Sequence, residues 1–141
     1  MRTTSLLVLL LAVSAVAGAQ TVSCPPNLTA KGVPGWTLDG KVESGPHAFA
    51  AITIYNQDPK AEAAGFPAIL APDDEQTTGN KVVQTWNLKD YRDLPIMLVC
   101  QYRNTKATLT RELPAELKSC VFRFELTRNA QLLAKPEVKC Q

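Results

Sequence analysis

The stretch Ile96-Met-Leu-Val-Cys-Gln-Tyr-Arg-Asn-Thr-Lys-Ala-Thr-Leu-Thr-Arg-Glu-Leu113 decides the fold. Ile96, Leu98, Cys100 and Tyr102 alternate with Met97, Val99, Gln101 and Arg103; beyond Asn104-Thr105, Ala107, Leu109 and Leu113 alternate with Thr108, Thr110 and Glu112. A period of two over this length is the pattern of a half-buried strand pair. Pairing Tyr102 with Ala107 and Cys100 with Leu109 puts the apolar side chains on one face. The other face then sets Gln101 against Thr108 and Val99 against Thr110. A slip of one residue would mix the faces, so burial specifies the register. Asn104 tolerates a positive φ, but Thr105 suits a second such position poorly, which predicts a loop longer than two residues. Arg111 is the one charge on the apolar side of the hairpin.

A second hairpin is legible at the C-terminal end. Folding the chain about Ala130 sets Cys120 against Cys140, Phe122 against Val138, Phe124 against Pro136 and Leu126 against Ala134. On the opposite face Arg123 then meets Glu137 and Glu125 meets Lys135. Directly opposed residues of an antiparallel pair have Cβ atoms about 4.5–5.5 Å apart, close to the roughly 3.5–4.5 Å that a disulfide needs. This register predicts a Cys120–Cys140 bridge and leaves Cys24–Cys100 by elimination, tying the N-terminal stretch to the central hairpin.

Between these hairpins and the N-terminus, Ala48–Tyr55 reads as a central strand, with Phe49, Ala51, Thr53 and Tyr55 on one face and Ala50, Ile52 and Ile54 on the other. Lys81–Leu88 reads as another, with Val82, Trp86 and Leu88 on one side. Trp36–Leu38, Asp39-Gly40 and Lys41–Glu43 predict a short hairpin, because Asp-Gly supplies the positive φ of a tight turn. Lys60–Ala64 and Pro114–Lys118 each suggest one helical turn, and Ala68–Ala71 a short strand. Asp73–Glu75 and Thr77–Asn80 read as loop. The strand content and the absence of long amphipathic helices point to a mainly β domain: a small antiparallel sandwich or partly open barrel, stapled by two disulfides, with one or two short helical turns.

Residues 1–19 read as a secretory signal peptide. Arg2 supplies a positive start, Leu6–Ala17 a short apolar run and Ala17-Gly-Ala19 a small-x-small cleavage site. The run is shorter than the roughly 20 residues of a spanning helix, and Thr21-Val-Ser23 before Cys24 is unlike a lipoprotein signal. The expected product is a soluble single domain, residues 20–141, periplasmic or secreted. Fourteen basic and thirteen acidic residues remain in it, for a charge of about +1. Such a balance, with basic residues scattered along the chain, argues against nucleic acid or an anionic membrane as main partner. All 4 cysteines lie in the exported part, which favours two disulfides. A zinc site is disfavoured, because there is no C-x-x-C pair and the single histidine, His47, is far from any cysteine in sequence. Asn27-Leu-Thr29 matches a glycosylation sequon, relevant in a eukaryotic secretory pathway.

Chemistry-bearing residues are sparse. His47 is the sole candidate for an acid–base or nucleophile-activating role, but Gly45-Pro-His-Ala48 brackets no nucleophile, and an exposed turn histidine is the simpler reading. Asp73-Asp-Glu75 is the densest acidic cluster. It lacks the spaced oxygen ligands and turn glycine of a calcium loop and the separation that glycosidase carboxylates need. Trp36, Tyr55, Trp86 and Tyr102 offer either a stacking surface or core aromatics, the latter being commoner at strand positions. The cysteine spacing is not that of a redox pair, and no glycine-rich phosphate loop occurs. No catalytic residue, metal site or cofactor is expected.

Taken together, several of these motifs resemble a family of small exported proteobacterial proteins, some of them lipoproteins, with no assigned biochemical activity. The carriers are Cys24-Pro25, Gly35-Trp36, the strand entering Tyr55, Leu70-Ala-Pro72, Trp86-Asn-Leu88, Leu98-Val-Cys-Gln-Tyr102 with Thr105, Leu113-Pro114, Cys120 and Cys140. The resemblance spans nearly the whole mature chain. Two departures stand out: the family often has an aromatic where Ile96 or Met97 stands, and a glycine where Asn104 stands. The resemblance implies a bacterial periplasmic setting, where the Asn27 sequon is irrelevant, and brings no catalytic residues.

A rigid, stapled, exported scaffold without catalytic groups suits a binding protein, since it presents loops at small entropic cost. The leading expectation is a periplasmic inhibitor or immunity factor acting on an envelope-acting enzyme, such as a cell-wall hydrolase. The expected contact residues are Asp73, Asp74 and Glu75 in one loop and Arg103 and Asn104, with the turn running on to Lys106, in another. The alternative expectation is a structural or envelope-maintenance protein with no single tight partner.

Overall fold

The computed structural model describes residues 20–60, 68–127 and 133–141. The expected leader, and the helical turn expected from Lys60 onward apart from Lys60 itself, lie outside these residues. The described residues form nine strands: β1 (Asn27–Leu28), β2 (Thr37–Asp39), β3 (His47–Tyr55), β4 (Asp74–Thr78), β5 (Lys81–Asn87), β6 (Met97–Tyr102), β7 (Thr108–Glu112), β8 (Ser119–Leu126) and β9 (Leu133–Cys140). One turn of 3-10 helix, Leu88–Tyr91, follows β5, with the Asn87 side chain accepting from the Lys89 amide at its start. All pairings are antiparallel, in a five-stranded sheet ordered β1-β3-β6-β7-β2 and a four-stranded sheet ordered β4-β5-β8-β9. The two sheets form an open sandwich.

The central hairpin adopts the register that the hydrophobic pattern demands. Cys100 opposes Leu109, Gln101 opposes Thr108 and Val99 opposes Thr110. Leu98, Cys100, Tyr102, Ala107, Leu109 and Leu113 are all buried. The ladder ends at Gln101–Thr108, so Tyr102 and Ala107 flank a loop instead of forming a ladder pair; Asn104 takes φ 57° within it. Arg111 is half-buried, its guanidinium 5.8 Å from the centre of the Trp36 ring.

The core lies between the facing sides of the sheets. Phe49, Ile54, Leu98 and Leu109 of one sheet meet Val82, Trp86, Phe122, Phe124 and Val138 of the other. Phe49 bridges them, edge-on to Tyr102 in its own sheet and to Phe122 across the gap, with ring centres 6.1 and 6.2 Å away. Edge-to-face pairs of this kind add about 0.5–1.5 kcal/mol each to the burial of the rings. The Trp86 indole N–H donates to the Leu70 carbonyl (2.9 Å) and the Tyr102 hydroxyl to the Pro25 carbonyl (3.0 Å), so both buried rings have their polar atoms satisfied.

Both disulfides form in the expected pairs, Cys24–Cys100 and Cys120–Cys140. Cys120 and Cys140 are directly opposed on β8 and β9. The N-terminal stretch runs first beside one sheet and then beside the other. Val22 exchanges two backbone hydrogen bonds with Cys140 of β9 (3.0 and 2.9 Å), and Asn27–Leu28 then pairs with β3. Cys24, between them, locks this crossing to β6.

Four departures from the expectations have identifiable causes. Thr37–Asp39 pairs with the free side of β7, not with Lys41–Glu43. The Asp39-Gly40 turn exists, with Gly40 at φ 84°, but an ideal Cβ there would meet the Ala107 Cα at 3.2 Å, so the chain turns away against the central hairpin instead of doubling back. In β3 the register shifts between Phe49 and Ala51, a bulge that puts Phe49 on the core face with Ile52 and Ile54 and breaks the expected alternation. In β9 the expected register holds from Cys140 to Glu137 and then shifts, so that Glu125 opposes Ala134 and Leu126 opposes Leu133. Pro136 has no N–H to give the ladder, and the bulge, with Lys135 at φ 50°, absorbs that gap; the Lys135–Glu125 ion pair survives at 3.5 Å. Finally, Asp74–Thr78 is a strand, not a loop. The Gly79–Asn80 turn returns the chain so that Thr78 opposes Lys81, and pairing with β5 continues to Asp74. Elsewhere, Ile69 makes an isolated bridge to Tyr55, and Pro114–Leu117 forms one hydrogen-bonded turn (3.1 Å).

Candidate functional site

The two expected contact regions are not brought together. Strand direction puts the start of β3, the β6–β7 loop, the Gly79–Asn80 turn and the start of β9 at one end of the sandwich. Arg103 donates to the Leu133 carbonyl and the Leu126 amide to the Asn80 carbonyl (2.7 Å), tying these parts to one another. The start of β4, the end of β5 and the 3-10 turn lie at the other end. The length of β5 separates the two ends by roughly 20 Å.

At the first end, Lys41, Glu43, Ser44, His47, Asn104, Thr105 and Lys106 line an open cleft. Arg103 and Asn104 occupy different roles there. The Arg103 side chain is tied to β9 and its amide donates to the Ala48 carbonyl (2.9 Å), whereas Asn104 is exposed. His47 is not the exposed turn residue expected. It begins β3, is half-buried, and its Nδ1–H donates to the Arg103 carbonyl at 2.8 Å, with Nε2 buried and without a hydrogen-bond partner. The imidazole therefore braces the loop through its bond to the Arg103 carbonyl.

At the second end, Asp73 and Asp90 both stand near Tyr91, and Asp74 and Glu75 follow at the start of β4. Asp73 is committed to the fold: it accepts from the Asn87 amide (2.5 Å) and from the Tyr91 hydroxyl (3.3 Å). Asp74 accepts from the Gln76 side chain (2.9 Å) and Glu75 from that of Gln84 (2.6 Å), both on the exposed strand β4. Tyr91 registers the field at this end. Its phenol lies above the ordinary value, chiefly because of the Asp73 charge, then through burial, the hydrogen bond to Asp73 and the charge of Asp90.

A third concavity lies on the outer face of the five-stranded sheet, where the side chains that alternate with the core point. Tyr55, Met97, Val99, Gln101, Thr108 and Thr110 line it, and Asp58–Lys60 runs beside it, with Lys60 Nζ 2.5 Å from Asp39. Met97 thus faces outward, whereas Ile96, the other candidate for the position where the resembled family often has an aromatic, is buried. The aromatics divided between stacking and core separate accordingly: Trp86 and Tyr102 are buried, while Trp36 and Tyr55 are half-buried. Sequence reading missed Gln76, Thr77 and Thr78 as strand residues, because an exposed strand shows no hydrophobic alternation; the Gly79-Asn80 pair was the available signal. Among the described residues no group of three or more His, Cys, Asp or Glu is placed to hold a metal ion, and no helix is long and apolar enough to cross a membrane.

Comparison with known proteins gives this geometry a context. Residues 43–141 match the family model described as Type VI secretion system Tli immunity protein. A relative from Azospirillum brasilense, described as an uncharacterised 16.3 kDa protein in the trpG 5′ region, is 33% identical over 140 residues, covering 94% of this chain and 92% of its own length. No solved structure matches.

Proposed function

The chain belongs to the Type VI secretion system Tli immunity protein family, and from that premise we propose that it is a non-enzymatic periplasmic binding protein that neutralises an effector delivered by a type VI secretion system. The family match over residues 43–141 is the observation that carries this reading. The fold is consistent with it. Two disulfides suit an oxidising compartment, and together they hold both ends of the described chain against the sandwich. A scaffold fixed in this way loses little conformational freedom on binding. Export by way of residues 1–19 belongs to the same proposal.

The contact residues we assign are Asp74 and Glu75 at the acidic end and Asn104 at the cleft end, with Asp73 and Arg103 holding the backbone that presents them. To test the function, oxidised protein from Gln20 onward is immobilised and exposed to envelope extracts of the source strain and of competitors carrying a type VI system. Retention of one stoichiometric effector through moderate salt is the expected result. Weak, heterogeneous capture with no effector among the retained proteins contradicts the reading.

A further inference from the structure

β4 is the element that the core does not explain. All five of its residues are exposed, so it buries no side chain and extends the sheet beyond the sandwich. Among the described residues its outer edge is also the least protected. β9, at the other edge of the same sheet, is met by Val22, and the edge strands of the second sheet, β1 and β2, are only two and three residues long. Exposed edges in soluble proteins are commonly blunted by lysine, proline or a bulge, because unpaired N–H and C=O groups template further strands. Asp74-Glu-Gln-Thr-Thr78 has no lysine, proline or bulge; its guards are the two carboxylates of Asp74 and Glu75, which oppose a neutral or acidic strand but not a basic one, and its pairing with β5 runs without a shift.

The turn defines which groups are free. Gly79, at φ 62°, takes the first position of the two-residue turn, as in a type II′ hairpin, and Thr78 and Lys81 then close it as a hydrogen-bonded pair. Hydrogen-bonded and open pairs alternate from there. The amide of Gln76 therefore faces β5, as does that of Thr78, while those of Glu75 and Thr77 face solvent.

Resting on the immunity reading above, we propose that the effector binds by adding an extended segment to the free edge of β4. That segment carries lysine or arginine opposite Asp74 and Glu75 and short polar side chains opposite Thr77 and Thr78. The backbone supplies the affinity in this mode, and the alternating side chains supply the choice of partner. The charge along the edge favours a basic strand: Asp74 and Glu75 are exposed on β4 itself, and Asp73, just before it, lies with Asp90 beside Tyr91. A second copy of this chain is a poorer occupant, because it would bring a second acidic group to the same edge without a compensating cation.

The probe is the effector retained by the immobilised wild-type protein. Thr77→Pro removes an outward N–H and leaves the inward ladder with β5 in place. The expected result is binding weakened by about tenfold or more, with unchanged circular dichroism. The charge reversals Asp74→Lys and Glu75→Lys weaken it further. In the wild-type complex, amide exchange at Glu75 and Thr77 slows relative to the free protein, a readout that needs no variant. An effector bound equally by wild type and Thr77→Pro, or unchanged exchange at both amides, overturns the edge assignment while leaving the immunity reading intact. Dimerisation of the free wild type that Thr77→Pro abolishes would instead assign the edge to self-pairing. Failure of the wild type to retain any effector contradicts the immunity reading itself, and this inference with it.

Discussion

The β6–β7 and β4–β5 hairpins are both antiparallel and both joined by short turns, yet different forces hold them. In the first, alternate side chains enter the core, and Leu98, Cys100 and Leu109 are fully buried. In the second, one strand contributes Val82 and Trp86 to the core while its partner contributes nothing. The central hairpin is fixed by burial. The outer strand β4 is fixed by a turn and a backbone ladder, and so remains free to be paired from its other side. On the proposal above, stability and recognition fall to different parts of one sandwich.

The largest test of this contrast is Leu109→Ala. It opens a cavity under the central hairpin and should cost about 2–5 kcal/mol, read from chemical denaturation of the oxidised protein. A loss below about 1 kcal/mol would mean that burial does not fix this hairpin.

Gly79→Ala attacks the other hairpin at its turn. An alanine forced to positive φ costs about 1–3 kcal/mol, and the damage should stay local, exposing β4 amides to exchange while those of β6 keep their protection. Uniform loss of protection across both sheets would show that the hairpins are not independent.

Tyr102→Phe sharpens the picture at high pH. Burial raises the Tyr102 phenol well above its ordinary value. The neutral ring is thus preferred in the fold, and its contribution is fully present below the unfolded value, near about pH 10, and is lost as pH rises toward the folded value. Wild type should lose stability above roughly pH 10 more steeply than Tyr102→Phe. At neutral pH the variant should be weaker by about 1 kcal/mol, for the lost bond to Pro25. Equal alkaline slopes would contradict the burial argument.

The smallest effect belongs to Thr77→Ala on the bare strand. Its melting midpoint should match wild type within about 0.5 kcal/mol of stability. A larger loss would mean that β4 contributes to the fold through contacts its exposure does not suggest.

The same contrast explains what was readable from residues alone. Alternation reports burial, so the β6–β7 register, the Cys120–Cys140 pairing and the strands at β3 and β5 were legible. The bulges at Ala50 and Pro136 were not, because one extra residue is resolved only by a partner strand that sequence does not supply. The partnership of β2 with β7 was hidden for a similar reason: Asp39-Gly40 announces a turn but not the direction the chain then takes. At the candidate site, the acidic run Asp73–Glu75 and the turn at Arg103–Asn104 were visible, but not that Asp74 and Glu75 stand on an edge strand. Nor was it visible that Asp73 and Arg103 are occupied by Asn87, Tyr91 and Leu133, or that the two regions stand at opposite ends.

The central claim, that this chain neutralises an effector by binding it, is tested most directly by titrating the captured effector's own toxic activity with oxidised protein from Gln20 onward. The account predicts that activity falls linearly and is abolished at equimolar protein, and that reduction of the disulfides raises the amount required. Binding that leaves the effector fully active at molar excess would contradict it.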